Sequence, residues 1–329
     1  MKADTIRAGI AGHGNLGRGV QAALAHNPDM RLAGIFTRRD PASLHLQDPA
    51  IPVWPLDQAQ AHQGEIDVMI LCGGSRQDLP EQGPQLAQWF NTIDSYDNHA
   101  HIPEYFEAMD QVARAHGTVS ILSVGWDPGL FSIQRLLGEA VLPQGATHTF
   151  WGKGLSQGHS DAIRRIPGVQ AGVQYTLPVP AAIEQVRAGQ QPALGTRQKH
   201  TRECFVVAAA GADTEAIRQA IVTMPDYFAD YDTTVHFITA EALARDHAGM
   251  PHGGFVIRSG QTAAQENQVI EFSLKLDSNP AFTASVLVAY ARAAWRLRQA
   301  GQSGAHTVLD IAPGLLSPKS PARLRKELV

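Results

Sequence analysis

The sequence predicts an α/β protein: a doubly wound parallel sheet followed by a mixed α+β domain. Three observations carry this. A branched apolar run, Ile6–Ala11, leads into Gly12, Gly14 and Gly17, then a helical stretch and a second apolar run. Strand, loop and helix signals then recur to about residue 125, with polar or glycine-rich loops at the strand C-terminal ends. From about Thr147 strands predominate, as in a largely antiparallel sheet. At 329 residues the chain is too long for one small core, so two domains, or one interrupted by another, are expected.

The elements follow in order. Ile6–Ala11 is a buried strand, Val20–Ala25 a helix ending near Asn27-Pro28, and Leu32–Phe36 the next strand. Asp67–Cys72, Asn91–Ser95 and Val119–Val124 are further strands, and Pro103–His116 is a helix. The stretches HTFW, VQYTL, CFVVAA, TVHFI, FVIRS and VIEFSLKLD supply the strands of the second domain. Ala281–Ala300 is a long helix, stopped at Gly301, that returns to the first domain. The expected domains are therefore 1–125 with 280–329, and 126–279. The basic, proline-containing tail SPKSPARLRKELV reads as a surface segment.

Composition narrows the function classes. The chain is 44% hydrophobic and 18% charged, with 27 basic and 31 acidic residues and a net charge of −4, so neither nucleic acid nor an anionic membrane is expected as a partner. The opening MKADTIRAGIAG has no signal-peptide core, and no apolar stretch spans a bilayer, which points to a cytoplasmic protein. Cys72 and Cys204 lie in apolar runs and read as buried, reduced thiols. The 14 histidines show no H-x-x-H spacing, and there is no C-x-x-C, so no metal is expected.

The G-x-G-x-x-G of residues 12–17 has a strand before it and a helix after it, the context of a Rossmann-type dinucleotide site. The first glycine permits the tight turn, the second a close approach of backbone to pyrophosphate, the third helix-on-strand packing. The loop after the second strand meets the adenosine ribose, and there the sequence reads GIFTRRD. An acid at this place favours NAD. Arginine accepts a 2′-phosphate. Thr37, Arg38 and Arg39 directly follow the strand, whereas Asp40 comes later and precedes Pro41, so NADP is the expected cofactor. A charge-assisted hydrogen bond contributes ~1.5–3 kcal/mol, so two would favour NADP on the order of a hundredfold or more.

Several stretches are more specific than any glycine motif: GHGNLGRG, DSYDNH, GWDPGLFS, HTFWGKGLSQGHSDAIRRIPGVQ, TMPDYF, GMPHGG, LKLDSNPAFTAS and GQSGAHTVL. Together, over nearly the whole chain, the sequence closely resembles the meso-diaminopimelate dehydrogenase family. The resemblance implies a homodimer with an NADP domain, a dimerisation segment and a substrate domain that closes over the cleft. It implies reversible oxidative deamination of the D-configured carbon of meso-2,6-diaminopimelate. The products are L-2-amino-6-oxopimelate, ammonia and NADPH, within lysine and diaminopimelate biosynthesis. Such a substrate carries an ammonium and a carboxylate at each end, so its site needs acids, cations and N–H donors, arranged differently at the two ends.

The resemblance assigns roles residue by residue. Asp97 in DSYDNH and Asp127 in GWDPG match the acids around the reacting amine, and either is a candidate base. Taken alone, an Asp after a strand is as often a turn or cap acid. Arg202, Thr176 and His252 match the group that holds the L-centre carboxylate, and Asn279 the residue that recognises the L-amino group. Trp151 and the pair Gln157-Gly158 match the wall and N–H donors for the reacting carboxylate. For the cofactor the resemblance adds His13, Asn15 and Leu16; Gly74, Ser75, Arg76, Gln77, Asp78 and Leu79; His99, Ala100 and His101; and Pro128, Gly129, Leu130, Phe131 and Ser132. Two departures stand out: His13 replaces a common Tyr, and the segment of residues 40–54 is longer or more variable than usual. The rival readings are another NADP-linked oxidoreductase of the aspartate pathway, a D-amino acid dehydrogenase of the same scaffold, and a non-catalytic NADP sensor. The stretches WGKGLSQGHSD and MPHGG argue against the first, and retention of both acids, the Arg and the His against the last.

Overall fold

The computed structural model of the protein describes residues 5–44, 46 and 48–329. Residues 1–4 of the opening stretch, and His45 and Gln47 of the 40–54 segment, lie outside the described residues. The chain begins β1 (Ile6–Ala11), α1 (Asn15–Ala25), β2 (Met30–Thr37), β3 (Val53–Pro55), β4 (Val68–Leu71), α2 (Leu79–Ala87), β5 (Asn91–Asp94), α3 (Ile102–His116), β6 (Val119–Ile121) and α4 (Leu130–Val141). It continues β7 (Gly145–Trp151), β8 (Gly154–Leu155), α5 (Gln157–Arg164), β9 (Val169–Pro178), α6 (Pro180–Arg187), α7 (Thr196–Lys199), β10 (His200–Ala208), α8 (Thr214–Val222), β11 (Asp232–Phe237), α9 (Ala240–Asp246), β12 (His252–Ala263) and β13 (Glu266–Leu276). It ends α10 (Asn279–Gln299), β14 (Gly304–His306) and α11 (Pro321–Leu328). Residues up to Ile133 together with Pro280–Val329 form one compact unit, and Gln134–Asn279 form a second.

The first unit is built on a seven-stranded sheet in the order β14-β6-β5-β4-β1-β2-β3, every pair parallel. Parallel strands are buried on both faces, which is why β4 reads VMIL without alternation. On one face Val20 and Leu24 of α1 and Leu287, Ala291 and Ala294 of α10 pack with Ile10, Ile35, Ile70 and Ile93. On the other, Leu79 and Leu86 of α2 and Tyr105 and Met109 of α3 pack with Phe36, Met69 and Leu71. Strand order reverses beside β1, where the chain leaves for β2 on one side and for β4 on the other. In such a sheet the ligand crevice lies outside the strand C-terminal ends at this point. A buried guanidinium fastens α10 in place. Arg292, 1% exposed, donates to the Asp29 carboxylate at 2.5 and 2.7 Å, to Asn27 Oδ1 at 2.7 Å and to the Leu316 carbonyl at 2.7 Å.

The second unit holds a four-stranded sheet, β11-β10-β9-β8, and a three-stranded sheet, β13-β12-β7. The first is covered by α5 and α8 through Ile163, Ile217 and Ile221 packed with Cys204, Val206 and Val235. The second is covered by α6 through Ile183 and Val186, packed with Phe150 and Ile257.

Four details differ from the sequence reading. Helix α1 starts at Asn15, directly after Gly14, because the glycine loop itself is its N-terminus. Strand β6 stops at Ile121, because Ser123 turns left-handed at φ +57°. In a largely antiparallel unit, β10 and β11 pair in parallel, with α8 as the crossover. The tail contains α11, whose Ser320 accepts from the Arg323 N–H while Pro321 occupies the first turn, where proline costs no hydrogen bond. Cys204 is buried and Cys72 half-buried, and both are free thiols.

Candidate functional site

In the first unit the strand-end loops converge on the switch point. Gly12 has φ +96°, and a Cβ on Gly17 would lie 2.1 Å from the Gly12 carbonyl oxygen, so this turn excludes any side chain. Gly14 caps α1 with no side-chain hydrogen bond, and the space where its Cβ would stand is open to 4 Å. No acid occupies the first turn of α1. Its N–H groups and the positive end of the helix dipole therefore suit a phosphate. His13 is buried, its Nε2 at 2.9 Å from Gln21 Oε1, and Asn15 accepts from Arg18. Leu16 packs against the core below.

Thr37 is the last residue of β2 and is buried, with Oγ1 accepting from the Arg39 N–H at 3.1 Å. The Arg39 guanidinium donates to the His13 carbonyl at 2.8 Å, so it braces the glycine loop. Arg38, 65% exposed, pairs with Asp78 at 2.7 Å. Asp78 also accepts from the Gly74 N–H at 2.7 Å, which closes the 74–79 turn. Asp40 caps the short turn that follows by accepting from the Ala42 N–H, and is occupied there. Arg76 and Gln77 are exposed, and Leu79 is buried at the start of α2.

The two candidate acids follow the neighbouring strands β5 and β6. Asp97 is exposed, and its N–H donates to Ser75 Oγ at 2.9 Å, which ties the β5 loop to the β4 loop. Asp127 is half-buried. His99, Ala100 and His101 form a short turn before α3, with His101 Nδ1 at 2.9 Å from Glu104. Pro128–Ser132 lead into α4, where Ser132 Oγ accepts from the Gly129 N–H at 3.1 Å, and Leu130 and Phe131 donate to the carbonyls of Gly125 and Trp126. Behind both acids lies a residue that the sequence reading did not single out. Asp94, 1% exposed, accepts from Tyr96 N–H (2.9 Å), Ser123 N–H (3.1 Å) and the Tyr105 hydroxyl (2.8 Å). Burial pushes its carboxyl up to about 6, against those three donors.

In the second unit, strand register gathers the other candidates. Thr176 of β9 stands opposite Arg202 of β10 and opposite Gly154 of β8. Arg202 is 7% exposed and donates to the Thr176 hydroxyl, while its guanidinium lies 3.9 Å from the Tyr231 ring centroid. Its Nε has no hydrogen-bond partner, and among the described residues no carboxylate pairs with it. Burial pulls this guanidinium below its ordinary value, with Tyr231 opposing. Buried Gln174 points its amide at Thr176 and leaves Oε1 unpartnered. His252, at the start of β12, packs directly on Gly154, where a Cβ would come within 2.3 Å of its Nδ1. Trp151 ends β7; its N–H donates to His200 Nε2 at 2.8 Å, and the two rings stack at 5.3 Å. Gln157 and Gly158 open α5, behind the Ser156 cap, and the Gln157 amide reaches Met250 Sδ at 3.1 Å. Asn279 donates its N–H to the Met250 carbonyl at 2.9 Å. Among the described residues no cluster of His, Cys, Asp or Glu is placed to hold a metal, and no helix is long and apolar enough to cross a membrane.

Residues 125–278 match the family described as Diaminopimelic acid dehydrogenase C-terminal domain. The chain is 63% identical over 324 residues to the meso-diaminopimelate D-dehydrogenase of Lysinibacillus sphaericus, covering 98% of this chain and 99% of that one. The chain belongs to the meso-diaminopimelate D-dehydrogenase family. Two solved structures share its fold. The DAP dehydrogenase of C. glutamicum in complex with DAP is 50% identical, with a TM-score of 0.91 and 99% of each chain covered. An engineered D-amino acid dehydrogenase bound to NADP+ is 49% identical, with a TM-score of 0.86, covering 99% of this chain and 100% of that one. The family's enzymes are oxidoreductases, and a nicotinamide dinucleotide suits the glycine loop and free helix end described above. Tyr231, Gln174 and His200, which surround the Arg202 and Trp151 positions, were not singled out in the sequence. Their roles rest on register and stacking between distant segments and leave no local motif.

Proposed function

We propose that the protein catalyses the NADP-dependent, reversible oxidative deamination of meso-2,6-diaminopimelate at its D-centre. The observation that carries this reading is Arg202: a guanidinium 7% exposed, flanked by a hydroxyl and an aromatic face, with no carboxylate among the described residues paired to it. Leaving a buried charge unpaired costs several kcal/mol, which favours an incoming carboxylate. Arg202, Thr176 and His252 hold the carboxylate of the L-centre, and Asn279 recognises the adjacent amino group. Trp151, with Gln157 and Gly158, bounds the carboxylate of the reacting centre.

Arg38 takes the 2′-phosphate, exchanging the Asp78 carboxylate for it, while Thr37 and Arg39 complete that loop. The glycine loop, with His13, Asn15 and Leu16, receives the pyrophosphate at the α1 N-terminus. The 74–79, 99–101 and 128–132 loops line the remainder of the cofactor. NADP+, when bound, supplies the hydride acceptor.

Asp97 and Asp127 orient the reacting ammonium, and one of them removes its proton so that the nitrogen lone pair assists loss of hydride from carbon. Water adds to the resulting iminium carbon, an acid of the pair carries a proton from that water to the nitrogen, and the carbon–nitrogen bond breaks to release ammonia. One ammonium group, one water and one oxidised cofactor give one carbonyl, one ammonium ion, one NADPH and one proton. The unlike anchors at the two ends make the enzyme prefer one end and one configuration. The first domain serves the cofactor, and the second serves substrate and dimerisation. A homodimer is supported by apolar side chains left exposed on the second unit: Leu137 and Val141 of α4, and Val269 and Ile270 of β13.

The purified protein is mixed with NADP+ and meso-diaminopimelate, with the L,L isomer and a panel of D-amino acids beside it, and NADPH absorbance is followed. NADPH is expected with the meso isomer only, or far faster than with any other. No NADPH with the meso isomer, or equal rates with L,L, refutes the reading.

A further inference from the structure

We infer that Asp94 is a positioning residue that sets the two candidate acids relative to one another. This rests on the assignment of Asp97 and Asp127 above. Strands β5 and β6 are neighbours in the parallel sheet; β5 ends at Asp94 ahead of Asp97, and β6 ends at Ile121, from which the chain runs through Ser123 and Val124 to Asp127. A single carboxyl group spans the two strand ends. Asp94 Oδ1 accepts from Tyr96 N–H, on the way to Asp97, and from Ser123 N–H, on the way to Asp127. Its main-chain carbonyl accepts from Val124 N–H at 2.9 Å. Oδ2 is held by the Tyr105 hydroxyl, and the Tyr105 ring stacks on Tyr96 at 4.2 Å, so α3 fixes the carboxylate from behind.

Ser123 shows what the carboxylate does. It sits at φ +57°, a conformation that L-residues other than Asn and Asp seldom adopt, and its Oγ is buried with no hydrogen-bond partner among the described residues. Nothing in its own side chain favours this turn. The bonds from Ser123 N–H and Val124 N–H to Asp94 hold it. Without the left-handed residue the chain would continue along β6 instead of turning toward Asp127. The Asp94 side chain is buried, and among the described residues its hydrogen bonds come from Tyr96, Tyr105 and Ser123, none of them assigned to substrate or cofactor, so it acts through the two loops.

The test uses steady-state kinetics with meso-diaminopimelate and NADP+ binding on the full-length protein and four variants. Asp94→Asn keeps Oδ1 as acceptor for both N–H groups and turns its amide to Tyr105 Oη. Its kcat should stay within about threefold of wild type. Asp94→Val removes the side-chain acceptor, leaving only the main-chain bond from Val124 N–H, and should lower kcat on the order of a hundredfold, with NADP+ affinity within about threefold. Adding Ser123→Gly to Asp94→Val should restore kcat at least about tenfold, because glycine adopts the left-handed turn unaided. Tyr105→Phe, a mild change that keeps the core filled, should lower kcat about fivefold with the same unchanged NADP+ affinity. Thermal melts of each variant separate a loss of folding from a loss of turnover, since glycine at a left-handed position also adds stability. Wild-type kcat in Asp94→Val, a loss confined to NADP+ binding, or no rescue by Ser123→Gly overturns the inference. Should Asp94→Val not fold, wild-type kcat in Tyr105→Phe overturns it instead. An inactive wild-type protein refutes the assigned reaction, a result distinct from all of these.

Discussion

Arg38 and Asp78 form an ion pair at 2.7 Å between the end of β2 and the turn before α2. The pair is exposed on the arginine side, so water screens it and opening it costs only about 0–1 kcal/mol. The 2′-phosphate of the proposed cofactor would therefore displace Asp78 readily. Arg38→Ala should lower NADP affinity on the order of ten- to a hundredfold while leaving NAD affinity nearly unchanged. Asp78→Asn keeps an acceptor for the Gly74 N–H and frees Arg38, so NADP preference should rise a few-fold, roughly the value of one screened pair. Titration of both dinucleotides by fluorescence quenching reads both effects, and an unaltered preference in Arg38→Ala removes Arg38 from the phosphate site.

Arg202→Met should cripple capture of the distal carboxylate. Losing one partner of a desolvated charge pair costs ~3–5 kcal/mol, so kcat/KM for meso-diaminopimelate should fall at least about a hundredfold. NADP affinity should hold. Tyr231→Leu, which removes the face under the guanidinium, should raise KM by a factor of about two to thirty, the range of a cation–π contact. Kinetics equal to wild type in Arg202→Met would remove the distal pocket.

Acid should weaken the second unit. Burial, with Arg202 beside it, pushes the His200 imidazole down to about 4, and His159 is lowered to about 4 for the same reasons. His200 Nε2 accepts the Trp151 N–H, which requires the neutral ring. An unfolded histidine takes up its proton near pH 6.5, so between there and about 4 the unfolded chain binds protons that the folded one refuses. Stability is thus full above that window and is lost as pH falls through it, by about 3 kcal/mol for His200. Urea unfolding at about pH 7.5 and about pH 5 should show the drop. His200→Gln, which preserves an acceptor without a charge, should flatten its share. An unchanged slope in that variant would discard this explanation.

Ile270→Asp on β13 and Leu137→Asp on α4 place charge in the apolar surface proposed to join two copies. Sedimentation should give a mass of two chains for the wild type and one for the double variant, because burying each unpaired carboxylate costs several kcal/mol. Identical masses would move the dimer contact elsewhere.

Much of this architecture could be read along the chain. Gly12, Gly14 and Gly17 lie between β1 and α1, and Arg38 lies one residue beyond β2, because a β-α-β unit is local and its turn chemistry is spelled in consecutive residues. The strands of the second unit were legible as apolar runs. Their partners were not: Thr176 and Arg202 meet because β9 and β10 share a register across 26 residues. The Arg38–Asp78 pair and the three donors on Asp94 likewise depend on strand order. Helix α11 was overlooked because none of its residues is buried, leaving no apolar stripe to read.

The sheet of the first unit is completed by pieces from opposite ends of the gene product. Leu287, Tyr290, Ala291 and Ala294 of α10 cover one of its faces, and β14 adds its last strand, yet all are synthesised after the second unit. On the ribosome, the inserted unit is therefore complete while the nucleotide-type sheet still waits with one oily face covered only in part, by α1. A chain cut short before α10 leaves the rest of that face permanently uncovered, a target for chaperones and proteases.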